Sequence, residues 1–133
     1  MPNLLLVMLG GAAGAGLRYE VGRLTLRQLG PDFPWGTLAV NLIGGLLMGL
    51  LAGTLSGIGA GIGAGIGMVG RPAWLLLGVG VLGGFTTFSA FSFDLFFMIQ
   101  RGQPGLAAGY ALASVLGALL LFVAGWGLAR AVS

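Results

Sequence analysis

Gly83-Gly84-Phe85-Thr86-Thr87-Phe88-Ser89-Ala90-Phe91-Ser92 sits in the middle of an apolar run from about Pro72 to Gln100. The run is long enough for a membrane-spanning helix, yet these residues are poor helix material. Adjacent glycines raise the cost of helix, and adjacent β-branched threonines add to it. Hydroxyls and phenyl rings then alternate where a plain span would carry leucine and valine. In a bilayer, backbone groups freed by a break must be satisfied by protein, water or an ion. A break near 83–87 therefore predicts a binding site, with the rest of the chain as its housing.

The housing is apolar. Of 133 residues, 57% are hydrophobic and only 7% charged, with a mean hydropathy of +1.04; soluble domains carry about 25% charged residues. This composition predicts an integral membrane protein of one domain's length. The 28 glycines suit helices that approach closely in lipid. Cysteine, histidine and lysine are absent, and the acids are Glu20, Asp32 and Asp94. Disulfides and thiol chemistry are thereby excluded, and a protein-built metal cluster or acid–base dyad is not expected. A serine nucleophile would lack its usual base, so no enzyme is expected. The arginines are scattered, so the pI of about 10.7 does not mark a nucleic-acid surface, which needs clustered charge. No Gly-x-x-x-x-Gly-Lys motif occurs, which excludes a pump driven through that motif.

Four spans are predicted. The first runs from about 3 to 26 and reads as a retained helix, not a signal peptide, because no basic residue precedes Arg18. Gly10, Gly14, Arg18 and Gly22 recur at helical spacing, which turns Arg18 toward protein or a wet vestibule. The second span, about 35–55, starts at an interfacial Trp35 and carries Thr37, Asn41, Gly45, Gly49 and Gly53 on one face. An amide facing lipid is costly, so Asn41 is expected inside. Residues 56–70 repeat Gly-Ile-Gly-Ala and read as a loose loop. Pro72 starts the third span, 72–100, broken near 83–87, and a turn at Gly102 and Pro104 leads to the fourth, about 106–131. There Gly109, Ala113, Gly117, Leu121 and Gly125 form one small stripe, and Tyr110, Ser114 and Ala118 another.

Arginines divide almost evenly between the two ends of such a bundle. Arg71 and Arg130 share one side, while Arg23, Arg27 and Arg101 lie on the other. Chance gives small proteins such weak bias, and so does insertion in both orientations, which would permit an antiparallel homodimer. Freed carbonyls at the break suit a hard cation, although Gly83-Gly84 also suits plain close packing. Six of eight phenylalanines lie between Phe85 and Phe97, interleaved with Thr86, Thr87, Ser89 and Ser92. Phenyl edges are electropositive, so rings and hydroxyls together can receive a small anion. Glu20 and Asp94 are candidates by their position in membrane segments, or they are paired structurally, Glu20 with Arg23 and Asp94 with an arginine in reach.

The run at 83–92 strongly resembles the signature of the Fluc (CrcB) fluoride channels. The likeness extends to Gly-Thr-Leu-Ala-Val-Asn at Gly36–Asn41, to Gly-Leu-Arg-Tyr at Gly16–Tyr19, and to the Tyr110-x-x-x-Ser114 pair, and so covers all four spans. It implies an all-α membrane protein acting as an antiparallel, dual-topology homodimer. Such a dimer has two fluoride pores and a central sodium ion, Na+, at the broken helices. By resemblance, Gly83 and Thr86 would offer backbone carbonyls to Na+, and Phe88 and Phe91 would face fluoride. Asn41 would donate to the ion, Tyr110 and Ser114 would belong to a polar track, Thr37 would sit near the centre, and Arg18 would line the vestibule. Ala118 departs from that track by lacking a hydroxyl. The implied function is passive fluoride export across the plasma membrane of a bacterial or archaeal cell. A small dual-topology multidrug/proton antiporter using Glu20 is the rival; it explains neither the 83–92 run nor Asn41. A purely structural membrane protein would not need donors along a common path.

Overall fold

The computed structural model describes residues 2–55 and 71–132; the Gly-Ile-Gly-Ala loop expected over 56–70 lies outside the described residues. Every regular element among them is helical. In order these are α1 (Pro2–Leu29), α2 (Trp35–Leu55), a π-helical segment (Trp74–Leu82), a single α-turn (Gly83–Phe85), α3 (Phe88–Gln100) and α4 (Pro104–Val132). Among the described residues four stretches are long and apolar enough to cross a membrane: Pro2–Leu29, Trp35–Leu55, Trp74–Gln100 and Pro104–Val132.

The turns follow from their sequence. After α1, Gly30 takes φ +81° and its N–H reaches the Leu26 carbonyl at 3.1 Å, a left-handed helix stop that glycine adopts without strain. After α3, Gly102 at φ +73° bonds Ile99 at 2.9 Å while the Gln103 N–H reaches Met98 at 3.0 Å. That double closure satisfies the last carbonyls of α3, and Pro104 opens α4 where its missing N–H costs nothing.

Burial is inverted relative to a soluble bundle. Gly10, Gly14, Gly44, Gly49 and Gly53 are buried, whereas Leu9 is 67% and Leu120 69% exposed. Small residues let backbones touch, which is how helices associate where lipid is as apolar as leucine. The most extensive contact joins α2 to α4. A Cβ on Gly45 would lie 2.6 Å from the Ala118 carbonyl oxygen, and one on Gly49 would meet the Phe122 carbonyl. On the other flank α1 lies against the π-helical segment and the α-turn; a Cβ on Gly14 would meet the Val81 carbonyl. The predicted α4 stripe divides. Gly117 and Gly125 pack on α2, but Gly109 and Ala113 are exposed and nothing among the described residues lies within 4 Å of a Cβ on Gly109.

The third stretch departs most from regular helix. Trp74–Leu82 winds as π-helix, ending with the Gly83 N–H donating to the Gly78 and Gly80 carbonyls. Gly78 makes room for this winding, since a Cβ there would lie 2.9 Å from the Trp74 ring. Extended π-winding is rare and tends to mark functional sites. The α-turn then gives way to extended backbone at Thr86 (φ −79°, ψ 157°) and Thr87 (φ −151°, ψ 123°) before α3 begins.

Candidate functional site

Thr87 caps α3. Its hydroxyl accepts from the Ala90 N–H at 3.2 Å, the usual way a threonine satisfies a free donor at a helix start. Its own backbone is held from α2: the Thr87 N–H donates to Asn41 Oδ1 at 2.9 Å, and Asn41 Nδ2 donates to the Thr87 carbonyl at 3.1 Å. One side-chain amide thus pairs both backbone groups of a residue, as a neighbouring strand would.

These bonds decide which carbonyls go without. In continuous helix the Thr87 N–H would close on Gly83 and the Ala90 N–H on Thr86. Both donors are diverted, to Asn41 and to the Thr87 hydroxyl, so the Gly83 and Thr86 carbonyls lose their helical partners. Neighbouring carbonyls are served otherwise. Leu82 accepts the Thr86 N–H at 3.0 Å and the Thr86 hydroxyl at 2.9 Å; Gly84 accepts Arg18 Nε at 3.2 Å. Arg18 is therefore half-buried against the interrupted backbone, and Gly44 leaves room under Thr86, because a Cβ on Gly44 would meet the Thr86 methyl. Replacing Thr87 by valine keeps shape and removes the cap; a loss of about 1 kcal/mol is expected as a lower thermal midpoint, with Thr87→Ser near wild type.

A hollow of about 470 Å³ opens beside this backbone between α2, α3 and α4. Asn41, Thr86, Phe88, Phe91, Ser114 and Ala118 line it, and no charged side chain among the described residues does. The Phe88 and Phe91 rings lie 5.5 Å apart at 45°. Phe91 is buried, but Phe88 is 77% exposed. Ser114 Oγ is buried and has no hydrogen-bond partner among the described residues. A second hollow of about 470 Å³ lies at the α1–α2 turn, lined by Thr25, Asp32, Phe33, Thr37, Asp94 and Arg101 among others.

The residues singled out from sequence thus divide. Asn41, Phe88, Phe91, Ser114 and Thr86 share one hollow, whereas Thr37 lines the other. Tyr110 is buried and donates to Asp94 Oδ2 at 3.1 Å. The expectation of an arginine partner for Asp94 is corrected accordingly: α3 and α4 pack side by side and bring the phenol to the carboxylate. Glu20 pairs with Arg23 at 2.7 Å on the exposed face of α1, as expected. Sequence reasoning missed Thr87 as the hinge of the site. A threonine directly before the Phe88-Ser89-Ala90 turn is a recognisable cap, and that signal could have found it.

The chain matches the family described as CrcB-like protein, Camphor Resistance (CrcB), over residues 5–126. Among similar proteins, one from Phenylobacterium zucineum is 52% identical over 133 residues, covering 99% of this chain and 98% of the relative. One from Sphingopyxis alaskensis is 49% identical over 130 residues, covering 98% and 97%. A third, from Mesorhizobium japonicum, is 43% identical over 132 residues, covering 99% of each. All three carry the name fluoride-specific ion channel FluC.

Proposed function

We propose that this chain, which belongs to the CrcB-like family, is a fluoride-selective channel, not an enzyme, through which cytoplasmic fluoride leaves the cell passively. The observation that carries the reading is the uncharged hollow at the interrupted helix. A desolvated anion needs several donors, and this hollow offers neutral ones. Asn41 uses one amide hydrogen on Thr87 and keeps another; the buried Ser114 hydroxyl makes no close hydrogen bond among the described residues; Phe88 and Phe91 offer electropositive ring edges. Conduction requires binding firm enough for entry and weak enough for exit, which neutral donors suit better than a full cation would.

In this reading residues 1–133 form one transmembrane domain in the plasma membrane, with the third span broken in mid-bilayer. The donor set at the break fits Na+: two hard carbonyl oxygens, Gly83 and Thr86, whose helical donors are diverted elsewhere. A hard cation takes oxygens from several directions, so two more from a second copy complete the site, and the bound ion would contribute a fixed positive charge to the centre of an antiparallel, dual-topology homodimer. The exposed Phe88 ring is then covered by the partner. Cysteines placed singly at either terminus of this cysteine-free chain are expected to react from both faces of an intact membrane; labelling from one face contradicts dual topology.

In a bacterial host lacking its own fluoride exporter, expression should restore growth in fluoride, and Glu20→Gln should leave the rescue intact. Absence of rescue counts against the channel. Drug resistance conferred by the chain and abolished by Glu20→Gln alone would favour the antiporter, which the exposed Glu20–Arg23 pair does not support.

A further inference from the structure

The two hollows share no lining residue among the described residues, and Tyr110 connects to both. Its hydroxyl holds Asp94, which lines the second hollow; its ring lies 5.3 Å from Phe91, which lines the first. The same ring meets Phe33 at 5.5 Å and 85°, an edge-to-face contact. Phe33 in turn lies 4.6 Å from Trp35. The rings of Trp35, Phe33, Tyr110, Phe91 and Phe88 are therefore contiguous from the end of the bundle to the interrupted helix. Phe33 alone among them belongs to a turn. That turn is stiff: Pro31 and Pro34 fix φ on either side, and the Trp35 N–H closes on the Phe33 carbonyl at 2.8 Å.

We infer that Phe33 is a positioning residue for the pathway: its edge-to-face contact holds Tyr110, which lines neither hollow, as the partition between them. It thereby sets the width of the neck joining the Phe88–Phe91 rings to the Asp94–Arg101 end. The inference rests on the channel reading for its consequence, not for its geometry. Tyr110 is otherwise held at its hydroxyl end, by the Asp94 bond with Thr37 and Ser114 also beside the phenol, so removing the Phe33 ring opens space at the ring end of the side chain. A wider neck relaxes discrimination against an anion larger than fluoride.

Two readouts on the full chain in liposomes test it. First, Phe33→Ala should lower the fluoride-to-chloride efflux ratio about tenfold, the scale of one aromatic pair, while Phe33→Tyr, which keeps the ring, restores it. An unchanged ratio in Phe33→Ala overturns the inference. Second, the chain has no cysteine, so Ser114→Cys reports access to the first hollow. A membrane-impermeant thiol reagent should modify it about tenfold faster when Phe33→Ala is added; equal rates overturn the partition. The labelling needs no fluoride flux, so a wild type that conducts no fluoride sinks the channel reading while the partition is still judged. If Phe33→Ala does not fold, Phe33→Leu, which keeps bulk but loses the ring edge, takes its place under the same two criteria.

Discussion

Asn41→Ala is expected to lower fluoride efflux by at least about a hundredfold. The substitution removes the partner of both the Thr87 N–H and the Thr87 carbonyl. Leaving a buried backbone group unpaired costs about 1–3 kcal/mol, and about 3 kcal/mol for the two together is a hundredfold in rate or population. The nearest repair makes matters worse for function: the Thr87 N–H can return to Gly83, closing the helix and consuming a carbonyl that the interruption had freed. Asn41→Asp separates the two halves of the role. It keeps an acceptor for the Thr87 N–H, loses the donor to the Thr87 carbonyl, and sets a negative charge in the hollow. It should therefore abolish efflux while the protein still assembles. Efflux within a few-fold of wild type in Asn41→Ala would contradict the role assigned to this amide.

Gly49→Val is expected to destabilise the whole molecule. A Cβ at Gly49 would meet the Phe122 carbonyl oxygen and lie 2.8 Å from its carbon, so α2 and α4 must part along their most extensive contact. Neither obstacle is a side chain that can rotate away. Overpacking of this kind costs about 1–3 kcal/mol, and a branched side chain against backbone belongs at the upper end. The thermal midpoint and the monodisperse fraction in detergent should both fall sharply. Gly127→Ala is the control on the same helix pair. Nothing among the described residues lies within 4 Å of a Cβ there, and alanine is the better helix former by up to about 1 kcal/mol, so stability should hold or rise. Equal midpoints for the two variants would contradict the backbone-to-backbone packing of α2 on α4.

Much of this was legible because membrane helices announce themselves by length and apolarity, and because Gly83-Gly84 and Thr86-Thr87 are locally unfit for helix. Asn41 was placed inside from desolvation cost alone. Its target was not readable, since the Asn41–Thr87 bonds join residues 46 apart in sequence and depend on how α2 meets the third stretch. The π-winding of Trp74–Leu82 leaves no periodic mark, as a segment apolar on every side has no stripe to follow. The α4 stripe is used within this chain at Gly117 and Gly125 and left exposed at Gly109 and Ala113 for a related reason: glycine and alanine spacing marks a possible contact face, and the crossing of α2 selects which part is used here. Asp94 was expected beside an arginine by charge, whereas local packing supplied a phenol.

The measurement that bears most directly on the channel is efflux from liposomes holding the purified chain, loaded with fluoride or with chloride and diluted into anion-free solution with a potassium ionophore to balance charge. Fluoride should drain and chloride should be retained. Chloride loss comparable to that of fluoride, or no loss of either, would contradict a fluoride path built from Asn41, Phe88, Phe91 and Ser114.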